Sequence, residues 1–87
     1  MAELRDVRLK RLRIRSWRRG IKEMDLILGG YADAELAGLD DDALDIFEAV
    51  LGENDHDLFA WVTGQGEPPA RYAPLMAELS RRAALAR

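Results

Sequence analysis

Few side chains in this sequence are of a type that does covalent or metal chemistry, and none has the company it would need. His56 is the only histidine and stands between Asp55 and Asp57. A metal centre needs several converging ligands, and with no second imidazole and no cysteine nothing can complete one here. The triplet reads as the exposed first turn of a helix. Ser16 and Ser80 are the only serines, and neither lies in a nucleophile-elbow pattern that would supply a base and an oxyanion hole. Asp40, Asp41, Asp42, Asp45 and Glu48 cluster, but without the ligand spacing and central glycine of an EF-hand loop, so they read as a solvated helix face. No glycines are arranged as a phosphate-binding loop between a strand and a helix. The run that stands out is Arg18-Arg19-Gly20-Ile21-Lys22-Glu23-Met24-Asp25. A helix would pair Arg19 with Glu23 at i, i+4, a surface pair worth only about 0.3–0.5 kcal/mol, so stability gives little reason for this arrangement. On pattern alone the run is a helix junction.

Charge is the other feature with chemical consequence. Residues 1–20 carry a net +6, residues 21–60 a net -11 and residues 61–87 a net +2. A basic arm suits nucleic acid, an anionic membrane surface or an acidic partner, whereas an acidic segment folded against it would repel the first two. Equally, the arm can be a helix face that balances an acidic neighbour within the same fold. The absence of cysteine excludes disulfides, thiolate metal sites and cysteine nucleophiles. No apolar run approaches the roughly 20 residues of a membrane span or the uninterrupted stretch of a signal peptide. The chain is therefore expected to be intracellular and soluble. Its 87 residues, 48% of them apolar and 33% charged, suit a single globular domain with one core.

The elements that must position these residues are helical nearly throughout, since β-branched alternation is missing. In the first segment Leu4, Val7, Ile14 and Trp17 form one stripe, with Leu9 and Leu12 off it, and Gly20 is a natural end. A second helix presents Met24, Ile27, Leu28 and Tyr31. Its Gly29-Gly30 pair, each costing up to about 1 kcal/mol against alanine, implies a kink or a neighbour packed on bare backbone. A third helix is expected at about 41–51, capped by Asp40, stapled by Leu39 on Leu44, with Leu44, Phe47, Val50 and Leu51 inward and Gly52 as its stop. A short fourth, capped by Asp55, carries Leu58, Phe59, Trp61 and Val62 and closes at Gly64. Residues 64–69 read as a loop. From Ala70 onward Tyr72, Leu75, Met76, Leu79 and Ala83 make a last amphipathic helix with Arg81, Arg82 and Arg87 near its negative end. The fold class is all-α, a compact bundle of about five helices, with Phe47, Leu51, Phe59, Trp61 and Leu79 in its core.

The run Arg19-Gly20-Ile21-Lys22-Glu23 matches the RGxxE motif of the small FAD assembly factors of succinate dehydrogenase, called SdhE in bacteria and succinate dehydrogenase assembly factor 2 in mitochondria. Its surroundings make the match specific: Trp17 before it, Met24-Asp25-Leu26 after it, Leu28-Gly29, Leu39-Asp40, and Asp55-x-Asp57-Leu58-Phe59-x-Trp61-Val62-x-Gly64 followed by prolines. The chain resembles this family over about residues 5–80. Gly30, where many members have a larger polar residue, His56, where proline is common, and Asp40, in place of a frequent serine cap, depart from the pattern.

The resemblance implies a five-helix, non-enzymatic assembly factor. Such a factor binds the flavoprotein subunit of succinate dehydrogenase, in some bacteria also that of fumarate reductase, and promotes covalent attachment of FAD to a histidine of the client. By carry-over, Arg19, Gly20 and Glu23 form the partner-binding surface, with Arg18 and Asp25 beside them. FAD is then the client's cofactor and none is held stably here, while the free chain is expected to be a monomer with no nucleic acid bound and no insertion into a membrane. The bacterial cytoplasm is the expected compartment, or the mitochondrial matrix if the source is eukaryotic, because Glu3 and Asp6 interrupt what would otherwise resemble a presequence. A rival of a different class is a helical nucleic-acid-binding module using Arg5, Arg8, Arg11, Arg15 and Arg18, whose binding should weaken steeply with salt. An enzyme or a free-flavin carrier is the other, and it lacks a Gly-rich cradle and an oriented general base.

Overall fold

The first helix, α1 (Arg5–Ser16), is amphipathic in a way its sequence leaves ambiguous. In this computed structural model, which describes residues 3–85, the stripe Leu4, Val7, Ile14 and Trp17 faces outward, from 41% exposed at Trp17 to 74% at Leu4. The inward face is Leu12 and Ser16, both fully buried, with Leu9 packed on the core beside them. The physical reason lies in the arginines. Arg5, Arg8 and Arg11 reach the acids of α3 (Asp41–Leu51), and satisfying them turns the helix so that the larger apolar stripe points away. Ser16 is tolerated inside because its hydroxyl donates to the Leu12 carbonyl at 2.7 Å.

The second helix, α2 (Lys22–Glu35), buries Met24, Leu28, Tyr31 and Ala32. Its Gly29 answers the choice between a kink and a close neighbour: the Trp17 ring lies on the helix there, and a Cβ at Gly29 would fall inside it. The indole nitrogen donates to Asp33 at 3.2 Å, so Trp17 covers bare backbone with one part of its ring and remains partly solvated. Gly30 has open space around it. A 3-10 turn over Leu36–Gly38 carries the chain onward, with Leu36 fully buried.

Asp40 caps α3, accepting from the Ala43 amide at 2.8 Å, and Asp41 and Asp42 lie in the first turn, where the helix dipole favours negative charge. The fourth helix, α4 (Asp55–Val62), starts one residue earlier than its sequence implies. Asn54 is the cap, accepting from the His56 amide at 2.8 Å, and Asp55 is released for another task. At its other end Gly64 takes φ +80° and the Gln65 amide returns to the Ala60 carbonyl at 2.8 Å, a closure that a Cβ would strain. After residues 64–69 a 3-10 turn, Ala70–Tyr72, leads into α5 (Ala73–Leu85). Arg87 lies outside the described residues.

Phe47, Leu44, Val50, Leu58 and Leu79 are fully buried and Leu51 nearly so. Phe47 stacks on Tyr31 with ring centroids 5.6 Å apart. Phe59 and Trp61 pack against the core from its edge and are only partly buried; α4 sends Leu58 and Val62 inward instead. Trp61 leans on Tyr72, 6.2 Å between centroids, and the Tyr72 hydroxyl donates to Glu53 at 2.8 Å. A radius of gyration of 12.3 Å is that of one packed globule of this length.

Candidate partner-binding site

The junction between α1 and α2 is built from residues that reach across the fold. Arg19 precedes the start of α2, so the local pair with Glu23 expected from the spacing does not form. Instead its guanidinium turns inward and its side chain is only 9% exposed. Nε donates to Asp55 Oδ1 at 2.7 Å, Nη1 to the Leu51 carbonyl at 2.7 Å and Nη2 to the Glu53 carbonyl at 3.0 Å. Two of these acceptors are carbonyls at or just past the end of α3, where a cation is favoured by both the free carbonyls and the dipole. The Gly20 amide donates to the other Asp55 oxygen at 2.7 Å, and the Arg19 amide donates to Asp25. A Cβ on Gly20 would sit 3.1 Å from Asp55 Oδ2. Thus glycine here leaves room for a carboxylate of its own chain.

The five residues singled out by sequence therefore divide. Arg18 and Glu23 are exposed, Gly20 is exposed through its backbone, and Arg19 and Asp25 are turned toward the fold. Asp55, with the carbonyls of Leu51 and Glu53, belongs to the same constellation. Sequence reasoning takes Asp55 for a helix cap and for part of the family pattern, and no local signal shows that its carboxylate serves residues more than thirty positions away.

Glu23 also stands on the rim of an apolar cleft of about 380 Å³ between α2, α4 and α5. Leu26, Ile27, Gly30 and Tyr31 line one wall and Phe59, Val62, Thr63, Arg82 and Ala83 the other. Leu26 is 57% exposed. Arg82, which the sequence places near the negative end of the last helix, lies 5.9 Å over the Tyr31 ring and 3.6 Å from Glu35. Such a cleft suits an apolar group flanked by polar ones. Among the described residues no group of three or more His, Cys, Asp or Glu side chains is placed to hold a metal ion. Nor is any helix among them long and apolar enough to cross a membrane.

Charge on the opposite flank is settled internally. Arg5 meets Asp41 at 3.3 Å, Arg8 meets Asp45 at 2.7 Å and Glu48 at 3.1 Å, and Arg11 meets Glu48 at 3.0 Å. Glu48 is held below its usual 4.5, first by the hydrogen bond from Arg11 and then by that from Arg8, with partial burial opposing both. A carboxyl whose folded value lies below its unfolded one stabilises the fold above the unfolded value and ceases to do so as pH falls through the folded one. Stability is therefore expected to decline as the medium is acidified below about pH 4.5, and Glu48→Gln to flatten that decline while lowering stability at neutral pH. Thermal unfolding of both proteins across this range is the check; parallel acid profiles would show that the seam carries no such linkage.

A family model described as the flavinator of succinate dehydrogenase matches residues 10–83. The chain is 40% identical over 72 residues to a protein of Mycosarcoma maydis named succinate dehydrogenase assembly factor 2, mitochondrial, a match covering 83% of this chain and 30% of that protein. Proteins of the same name are 37% identical over 75 residues in Cryptococcus neoformans, covering 84% of this chain and 43% of that one, and 33% identical over 81 residues in Schizosaccharomyces pombe, covering 91% and 58%. The matched region thus spans less than two thirds of each of these relatives.

Proposed function

Because the chain belongs to the family described as the flavinator of succinate dehydrogenase, we propose that it binds the flavoprotein subunit of that enzyme and promotes covalent attachment of FAD to it. The observation that carries this reading is the family match itself, which spans the whole Arg19–Glu23 segment. The geometry supports it: Arg18, Glu23 and the Gly20 backbone form an exposed polar edge, with Leu26 and the apolar cleft alongside. In this reading the chain is not an enzyme. The client and its flavin carry the bond-making chemistry, and this protein contributes positioning and electrostatics from outside. It holds no FAD stably of its own, and the related fumarate reductase flavoprotein is a second client. The working compartment in this reading is the bacterial cytoplasm, or the mitochondrial matrix in a eukaryote; the relatives' names call those proteins mitochondrial.

The nucleic-acid reading loses its main support, since Arg5, Arg8 and Arg11 already face carboxylates of α3. The deciding experiment incubates the flavin-free flavoprotein with FAD, with and without this chain, and measures flavin that survives denaturation. Faster covalent incorporation together with a complex on gel filtration is expected. Equal rates and no complex would refute the proposal, and a mobility shift of nucleic acid at low salt would redirect it.

A further inference from the structure

We infer that Asp55 is a positioning residue for the partner surface, a role that rests on the proposed binding of the flavoprotein. Its two carboxylate oxygens hold two consecutive residues of the junction, Arg19 through Nε at 2.7 Å and Gly20 through its amide at 2.7 Å. The side chains of Asp55 and Arg19 are 16% and 9% exposed, so this pair is shielded, charge-assisted and directional, unlike the solvated pairs of α1. Each terminal nitrogen of Arg19 also donates once, Nη1 to the Leu51 carbonyl and Nη2 to the Glu53 carbonyl. All three guanidinium nitrogens are thereby engaged before any partner arrives, and so shielded a side chain is poorly placed to make a directed contact of its own.

The consequence is a division of labour within the Arg19–Glu23 segment. Arg19 and Gly20 fasten the segment to the α3–α4 corner, while Glu23, one residue into α2 and exposed, is the member presented outward. Asp25 secures the same turn from the helix side by accepting from the Arg19 amide. The approach of Asp55 disfavours a side chain at Gly20, since a Cβ would lie 3.1 Å from its Oδ2 and the carboxylate would have to give way. Loss of Asp55 should free the segment and misplace Glu23 without emptying the core, because none of the fully buried apolar residues belongs to the clamp.

The test uses the full chain and the succinate dehydrogenase flavoprotein of the same cell. Asp55→Ala removes both acceptors, and Asp55→Asn keeps the shape and one acceptor. In the free protein, exchange of the Gly20 amide measured by NMR should quicken by about tenfold or more in Asp55→Ala, with helical circular dichroism retained. With the flavoprotein, Kd should rise by about tenfold or more. Adding Glu23→Ala to Asp55→Ala should then weaken binding much less than Glu23→Ala does alone, because a misplaced Glu23 has little left to lose. A merely stabilising pair would move the melting temperature and leave that coupling at zero. If Asp55→Ala does not fold, Asp55→Asn is expected to show the same effects at smaller size and decides the matter. Wild-type affinity in a folded Asp55 variant, or losses that simply add with Glu23→Ala, would overturn the positioning role. Failure of the wild type itself to bind the flavoprotein would instead sink the functional reading on which it rests.

Discussion

Replacing Phe47 by alanine is expected to remove roughly 3–5 kcal/mol of folding stability, much of what a small domain possesses. The ring is fully buried and stacked on Tyr31, so truncation forfeits its transfer free energy and leaves a cavity that rigid helices on several sides cannot fill. For a domain of this size a loss of that order lowers the melting temperature by at least about 12 °C. The orientation of α1 gives a companion measurement. Leu12→Ala should cost about 2–5 kcal/mol, whereas Val7→Ala, at a position 53% exposed, should stay within about 0.5 kcal/mol. Reversed costs at these two positions would mean that the helix is rotated from the orientation described, and an unaltered melting temperature for Phe47→Ala would refute the phasing of α3.

Loss of covalent flavin on the client is the second large effect expected, and two variants should produce it by different routes. Glu23 is exposed, so Glu23→Ala should leave stability within about 0.5 kcal/mol. If its carboxylate becomes desolvated against a cation or amide of the flavoprotein, the same change should cost about 2–4 kcal/mol of association. Gly20→Arg should act inside the fold as well. Its Cβ would press on Asp55 from 3.1 Å, displacing the carboxylate that holds Arg19, and a loss of about 1–3 kcal/mol in stability should accompany the loss of binding. Circular dichroism, capture of the flavoprotein and flavin retained after denaturation separate the two routes. Outright unfolding of Gly20→Arg would make that glycine purely structural and leave Glu23→Ala to decide. Normal flavinylation by both folded variants would show the functional assignment to be wrong.

Much of this protein is legible in its sequence because much of it is local. The all-α class, five helical segments, the cap at Asp40 and the stop at Gly64 follow from periodicity, polar caps and backbone preferences that act within a few residues. The family is legible for the same reason, since the motif and its surroundings lie in one linear order. The close packing at Gly29 is half legible: two glycines in a helix demand an explanation, yet only the fold supplies Trp17 as the neighbour.

What the tertiary structure alone decides is which of two permitted local arrangements is used. Both apolar stripes of α1 have helical spacing, and the choice falls to Arg5 and Arg8 meeting Asp41 and Asp45, 36 and 37 positions along the chain. Arg19 had a partner four residues away in Glu23, yet it pairs with Asp55 at a separation of 36, because the turn before α2 aims it at the corner between α3 and α4. Asp55 is free to answer because Asn54 does the capping. Periodicity describes a helix about its own axis and caps describe its ends; neither specifies the neighbouring surface, and it is the neighbour that determines which face is buried and which charges are already taken.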